Sequence, residues 1–195
     1  MIPDKELYVS IDVEADGPIP GMNSMLSFGS AVFDINGNLW NTFECNLELL
    51  PEATSEVKTM EWWKTQPEAW EHCRKDLLSP SVVMNSYYVN MVHLSEQLNK
   101  KLVCIGYPIT YDFMFLYWYL MKFAGKSPFS FSGIDIKTIA MMMMKRPYTK
   151  IGKSSMPKRW FEGAEKHTHT PLEDAKGQRR MFVNMAREFF SGMVF

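Results

Sequence analysis

The sequence predicts an α/β domain built on a mixed five-stranded sheet flanked by helices. Three strand patterns come first and are joined by short turns, which is typical of antiparallel pairing. Strand and helix patterns then alternate, which is typical of parallel strands with helical crossovers. The chain has 195 residues, enough for one domain with a substantial core, so we expect a single domain over residues 1–195.

The first strand pattern carries two carboxylates on one face. Successive side chains of a strand point to opposite faces, so we expect Val9, Ile11 and Val13 in a core. Asp12 and Glu14 then share the other face. Neighbouring like charges repel by on the order of a few kcal/mol near a protein surface, so a fold that holds them together usually supplies a cation. Because carboxylate oxygens favour hard cations, we expect Mg²⁺ or Mn²⁺.

The other predicted elements follow from turn signals, apolar runs and helix-start residues. The later strands are Met25 to Phe33, Leu39 to Leu49, Leu102 to Tyr107 and Phe131 to Asp135. The helices are two short ones within 59–70 divided at Pro67, a long one from Pro80 or Ser81 to about Lys101, one headed by Asp112, one over 136–144 capped by Asp135, and one from Pro171 or Leu172 to about Phe190. An N-cap role would explain Asp112 as well as a metal-binding role would.

Composition and charge exclude several classes of protein. No apolar segment is long enough to cross a bilayer and no secretory signal is present, so we expect a soluble, cytoplasmic protein without membrane contact. Cys45, Cys73 and Cys104 are odd in number and widely spaced, which favours reduced thiols over disulfides. The net charge of −1 provides no overall basic field for nucleic acid.

A basic segment over residues 145–166 has a local net charge of +5. Such a segment is usually a solvated loop, but beside an acidic metal site it would hold phosphate between metal ions and lysines. The candidate strand-guiding residues in it are Lys150, Lys153, Lys158 and Arg159.

The last helix pattern begins beside a histidine and an aspartate. Of the four histidines, only His169 has an aspartate five positions later, Asp174. If the helix starts near Pro171, Asp174 lies in its first turn and His169 lies on the loop before it. A histidine there can take the proton from an attacking water molecule.

Phosphodiester hydrolysis explains the whole set of polar residues. Two metal ions about 4 Å apart stabilise both the attacking and the leaving oxygen, and they need carboxylates from several elements. The chain supplies four such carboxylates, Asp12, Glu14, Asp112 and Asp174.

The ordered set Asp12-x-Glu14, Asp112 and His169-x-x-x-x-Asp174 resembles the DEDD superfamily of 3′-to-5′ exonucleases, which are DnaQ-like and have an RNase H-like fold. Thr170 stands where the tyrosine subclass has its tyrosine, so the resemblance is to the histidine subclass, DEDDh. The likeness covers Leu7 to about Phe190. A further motif, Thr59-x-x-Trp62-Trp63-x-x-Gln66, is similar to phage and bacterial 3′-5′ exoribonuclease-like proteins.

The resemblance implies a role for each residue of the set. Asp12, Glu14 and Asp174 would bind the first of two Mg²⁺ ions, for which Mn²⁺ can substitute. Asp12 would bridge to the second ion, and Asp112 would support that ion directly or through water. His169 would be the general base.

Three aromatic residues are candidates for stacking on bases: Trp62, Tyr107 and Tyr111. Family members often carry Asn where this chain has Pro108, so we expect substrate contacts over 107–111 to differ. Asp16 is expected to serve the turn before Gly17 and not to bind metal.

We therefore expect a metal-dependent exonuclease that releases 5′-mononucleotides from a single-stranded 3′ end, with RNA favoured. A DNA exonuclease of repair or proofreading type is the nearest alternative. A non-catalytic nucleic-acid-binding module and a zinc hydrolase built on His167 and His169 are more distant ones, and we otherwise expect His167 at the rim. Relatives are often dimers, so a homodimer is possible.

Overall fold

The computed structural model describes residues 5–163 and 169–191 and contains a five-stranded sheet. The strands are β1 (Glu6–Ala15), β2 (Met25–Phe33), β3 (Leu39–Asn46), β4 (Lys101–Gly106) and β5 (Gly133–Asp135). Their order is β3-β2-β1-β4-β5. β1 pairs antiparallel with β2 and parallel with β4, so the predicted mixed sheet is confirmed.

Helices cover both faces of this sheet. They are α1 (Val57–Trp63), α2 (Pro67–Cys73), α3 (Pro80–Leu98), α4 (Ile109–Tyr119), α5 (Ile136–Met144) and α6 (Pro171–Ser191). A π-helical turn, Leu120–Ala124, continues α4, and short 3₁₀ turns lie within residues 148–161. None of the described helices is both long and apolar enough to span a bilayer.

The central strand β1 separates two hydrophobic cores. Val9 and Ile11 pack with side chains of α3 and α4 on one face. On the other face Tyr8 packs against Phe182 of α6, with ring centroids 5.0 Å apart. The predicted alternation in β1 is therefore confirmed. Because each large apolar side chain buried here stabilises the fold by roughly 1.5–3 kcal/mol, β1 is tightly fixed between the helices.

The carboxyl ends of β1 and β4 meet at one edge of the sheet, because these neighbouring strands are parallel. α4 begins three residues after β4 and crosses this edge. Gly106 allows the close approach, since a Cβ there would lie 3.0 Å from the Ile109 side chain and 3.4 Å from an Asp112 carboxylate oxygen.

Several predicted strand and helix limits differ from the structure. β4 covers Lys101–Gly106, one residue earlier than predicted, and β5 starts at Gly133 and not at Phe131. β3 ends at Asn46 and not at Leu49, because the chain turns there to pair with the segment after α2: the Leu78 backbone amide donates to the Asn46 carbonyl at 3.0 Å. α3 ends at Leu98, since Asn99 has the left-handed backbone conformation (φ 49°) that stops a helix.

The N-cap interpretation of Asp112 is wrong. α4 starts at Ile109, its N-cap is Pro108, and Asp112 lies within the first turn with its side chain turned to β1. By contrast, Asp135 caps α5 as predicted, because its carboxylate accepts from the Thr138 amide at 2.9 Å.

Candidate active site

Two acids at the end of β1 face α6. Glu14 is buried and Asp12 is half-buried. The strand end that carries them is anchored by α1, because the Trp63 indole donates to the Ala15 carbonyl at 3.0 Å. The positions of both carboxylates are therefore set by a rigid, fully packed strand.

The neighbouring acid Asp16 has a structural role. Its Oδ1 accepts from the Ser24 amide at 2.6 Å and its Oδ2 accepts from the Ser55 hydroxyl at 2.9 Å. Both oxygens thus tie together the loops that follow β1 and β3, in line with the structural role expected for it.

The third acid comes from α4 and contacts β1 between the first two. The Val13 amide donates to Asp112 Oδ1 at 3.1 Å. Since Val13 separates Asp12 from Glu14 in the chain, this bond fixes the α4 carboxylate beside the β1 pair.

The fourth acid and the histidine come from the start of α6. One ligand atom each from Glu14, His169 and Asp174 lie within 4.8 Å of one another. His169 Nδ1 is 3.9 Å from Glu14 Oε1. Residues almost the whole chain apart thus form a group that can hold a metal ion.

A glycine in β2 makes this approach possible. Gly29 pairs with Asp12 in the sheet, and the first turn of α6 lies directly on it. A Cβ at Gly29 would lie only 2.3 Å from the Leu172 amide nitrogen. The sequence signal for this contact is a glycine inside a strand, which often marks a close backbone approach.

The electrostatics of the four acids fit a divalent cation. Burial, reinforced by the negative charges of Asp112, Glu14 and Asp174, raises the pKa of Asp12 well above its ordinary value. Burial and the same kind of repulsion raise the pKa of Glu14. Burial raises the pKa of Asp112 to about 8 although the Val13 hydrogen bond acts against it. Oxygen donors that destabilise one another's charge in this way match a hard cation such as Mg²⁺ or Mn²⁺.

Sequence reasoning missed one polar residue of the site, Gln178. Its Nε2 donates to Asp12 Oδ1 at 2.8 Å. The available signal was spacing, because Gln178 follows Asp174 by four residues and so lies on the same face of α6.

Trp62, proposed for stacking, lies beside the histidine. Its ring centroid is 5.0 Å from that of His169, and the planes meet at 82°. His169 itself has a left-handed backbone (φ 55°), which for a residue with a Cβ costs on the order of 1–2 kcal/mol. Trp62 also packs against Trp63, with ring centroids 4.8 Å apart, and is 39% exposed, so part of its side chain is accessible.

Among the other substrate-binding candidates, Lys153 lies beside Tyr107, and Tyr111 is engaged within the protein. Lys153 Nζ lies 5.5 Å from the centroid of the Tyr107 ring, and its charge opposes the rise in the pKa of both Asp12 and Asp112, whose main cause is burial. Tyr111 packs against Phe115, and its hydroxyl donates to the Gly17 carbonyl at 3.3 Å.

Lys150 and Lys158 are exposed. Arg159 forms two hydrogen bonds of 2.8 Å with the Glu188 carboxylate of α6, so its guanidinium is engaged within the protein. His167 lies outside the described residues.

Comparison with known proteins decides the family. Residues 7–186 match the family described as the 3'-5' exoribonuclease Rv2179c-like domain. The chain belongs to this family. The 3'-5' DNA exonuclease Cap18 of Escherichia coli is 29% identical to this Rv2179c-like chain over 186 residues, covering 92% of this chain and 91% of that protein.

Solved structures support the same fold for this Rv2179c-like chain. S. pombe Pop2p, in a Mg²⁺- and Mn²⁺-bound form, has a TM-score of 0.66 at 15% identity and covers 96% of this chain and 86% of its own. The nuclease domain of 3'hExo, a DEDDh family member bound to rAMP, has a TM-score of 0.64 at 13% identity and covers 95% of this chain and 92% of its own. The predicted RNase H-like exonuclease fold is confirmed. The family match shows that the protein is a 3′-5′ exonuclease, in agreement with the predicted resemblance.

Proposed function

We propose that this exonuclease removes 5′-mononucleotides from a single-stranded 3′ end, with two Mg²⁺ ions and with His169 as general base. The observation that carries the proposal is the meeting of Glu14, His169 and Asp174 within 4.8 Å, beside Asp12 and Asp112. The match to the family over residues 7–186 supports a single exonuclease domain. A homodimer stays a prediction, for which light scattering of the purified protein is the measurement.

The four acids and His169 would have separate roles in metal binding and proton transfer. Glu14, Asp174 and Asp12 would hold one ion, and Asp12 and Asp112 the other. Bound ions of this kind polarise the phosphoryl oxygens and lower the pKa of water. His169 would take the proton of the attacking water, and Glu14, 3.9 Å from Nδ1, stabilises the charge that the imidazole then gains.

The substrate would approach over Trp62 and the basic segment. The partly exposed ring of Trp62 beside His169 suits stacking of the terminal base, and stacking tolerates every base. The charge of Lys153 reaches Asp12 and Asp112, so Lys153 suits the phosphate next to the scissile bond. Lys150 and Lys158 would guide the strand further away, whereas Arg159 would first have to leave Glu188.

RNA is the first candidate substrate, because the family that covers almost the whole chain is described as exoribonuclease. Single-stranded DNA is the second candidate, because the relative that is 29% identical over 92% of the chain is a DNA exonuclease. Both share the same phosphodiester chemistry, so the sugar is the variable to test.

The decisive experiment compares RNA and DNA of one sequence, labelled at the 5′ end, with Mg²⁺ or with EDTA. We expect a ladder shortened from the 3′ end, faster for RNA, with Mg²⁺ only. Asp12→Ala should abolish the ladder while the far-UV spectrum is retained, and the exposed Glu52→Ala should leave it unchanged. Retained Mg²⁺-dependent hydrolysis in Asp12→Ala would refute the proposed mechanism, and faster hydrolysis of DNA would reverse the substrate assignment.

A further inference from the structure

Gln178 is the buried amide that joins α6 to the metal-binding edge of β1. Its side chain is only 3% exposed, and its Nε2 donates to Asp12 Oδ1 at 2.8 Å. The contact links positions 166 residues apart in the sequence. It therefore belongs to the tertiary structure of the site and not to local helix chemistry.

We propose that Gln178 is a positioning residue that orients the Asp12 carboxylate for metal binding. This inference rests on the proposed function. An ionised carboxylate only accepts hydrogen bonds, so a donor fixed on Oδ1 restricts rotation of the group and keeps it in one orientation for metal binding. A neutral amide does this without adding a positive charge that would compete with the metal, as a lysine or arginine would.

The oxygen of the Gln178 side-chain amide argues against a role in stability alone. Within residues 5–163 and 169–191, Gln178 Oε1 is buried and has no hydrogen-bond partner. A buried acceptor left in this way destabilises a fold, and an apolar side chain of similar length would avoid that cost. Glutamine at this position is thus explained better by what its Nε2 does for Asp12 than by packing.

The position on α6 also links two ligands. Gln178 follows Asp174 by one helical turn, so the two side chains share a face of the helix. Asp174 places its own carboxylate in the site, and Gln178 holds the carboxylate of Asp12 in β1. A single rigid helix thereby sets the relative placement of two acids that come from different ends of the chain.

The test is Mn²⁺ binding to the protein without nucleic acid, measured by calorimetric titration. Because loss of a partner that orients a metal ligand typically weakens metal binding 10–100-fold, we expect about this loss in Gln178→Met. We also expect kcat to fall more than KM rises, since the amide does not touch substrate. Gln178→Asn keeps an amide but is one methylene too short, so it should show the same loss if Gln178→Met fails to fold.

Asn184→Leu is the matched control on the same helix. The Asn184 amide donates to the carbonyls of Trp160 and Glu162, at 3.2 and 3.0 Å, and touches none of the acids in these bonds. We expect Asn184→Leu to lower the melting temperature and to leave the Mn²⁺ affinity unchanged.

The outcomes separate this inference from the proposed function. Absence of Mn²⁺ binding by the wild-type protein would overturn both. Wild-type affinity in Gln178→Met, with weakened binding in Asp12→Ala, would overturn the positioning role alone. Equal losses in Asn184→Leu and Gln178→Met would also overturn it, because general loosening of α6 would then explain the effect.

Discussion

Replacing Gly29 with alanine would test how the start of α6 is seated on the sheet. The added Cβ would lie 2.3 Å from the Leu172 nitrogen and 2.4 Å from the Pro171 carbonyl carbon, whereas ordinary contacts begin at 3.4 Å. These are backbone atoms, so the first turn of α6 would have to move by about 1 Å. Asp174 follows Leu172 by two residues, so its carboxylate moves with the turn.

A misplacement of about 1 Å in a catalytic site can cost about 10²-fold in rate. We therefore expect Gly29→Ala to reduce hydrolysis of a labelled single-stranded oligonucleotide about 100-fold under single-turnover conditions. Overpacking of this kind should also lower the free energy of unfolding by about 1–3 kcal/mol, measured by denaturant titration.

Gly177→Ala is the control, because it lies in α6 and a Cβ there meets no atom within 4 Å. Alanine in a helix interior is favoured over glycine by roughly 0.5–1 kcal/mol, so this variant should be slightly more stable and fully active. Wild-type hydrolysis by Gly29→Ala would show that the close contact with Gly29 does not set the position of Asp174.

Three further predictions concern Asp112, Lys153 and Asp16. Because burial raises the pKa of Asp112 from 3.8 to about 8, the fold favours its neutral form. In the metal-free protein the contribution of Asp112 to stability should be fully present below pH 3.8 and be lost as the pH rises to about 8, where added Mg²⁺ should raise the melting temperature again. Lys153→Ala should weaken binding of single-stranded nucleic acid and reduce the slope of log affinity against log salt concentration by about 1. Lys126, whose ammonium lies over Tyr88, is the control, and Lys126→Ala should leave this slope unchanged. Equal slopes for the two variants would contradict a phosphate contact of Lys153. Asp16→Ala should lower the free energy of unfolding by about 1–3 kcal/mol and leave the Mn²⁺ affinity unchanged, and weakened Mn²⁺ binding would make Asp16 a ligand.

The elements that could be predicted from the sequence are those set by local patterns. The period of two in β1 placed Val9 and Ile11 in one core and Asp12 on the opposite face, as the structure shows. Pro67 divides two short helices, and Asp135 caps α5. These features depend on neighbours within a few residues, which a single sequence displays.

The features that escaped prediction depend on approach between distant elements. A glycine inside a strand indicates a close approach, but nothing near Gly29 in the chain shows that α6 is the element that approaches it. The spacing of Gln178 from Asp174 likewise does not show that its side chain contacts Asp12. Arg159 seemed available to a nucleic acid strand, yet Glu188 of α6 binds it. The role of Asp112 was ambiguous because α4 starts three residues earlier than its apolar run suggested.

The spread of the site over β1, α4 and α6 has a consequence for biosynthesis. While a ribosome extends the chain, the acids of β1 emerge long before those of α6, so no product that stops short of Asp174 can assemble the group around Glu14 and His169. If this group is the catalytic site, as proposed, nuclease activity can appear only after α6 has docked on β1 and β2. On that assignment, an enzyme that degrades nucleic acid would stay inert during its own translation until that helix is made.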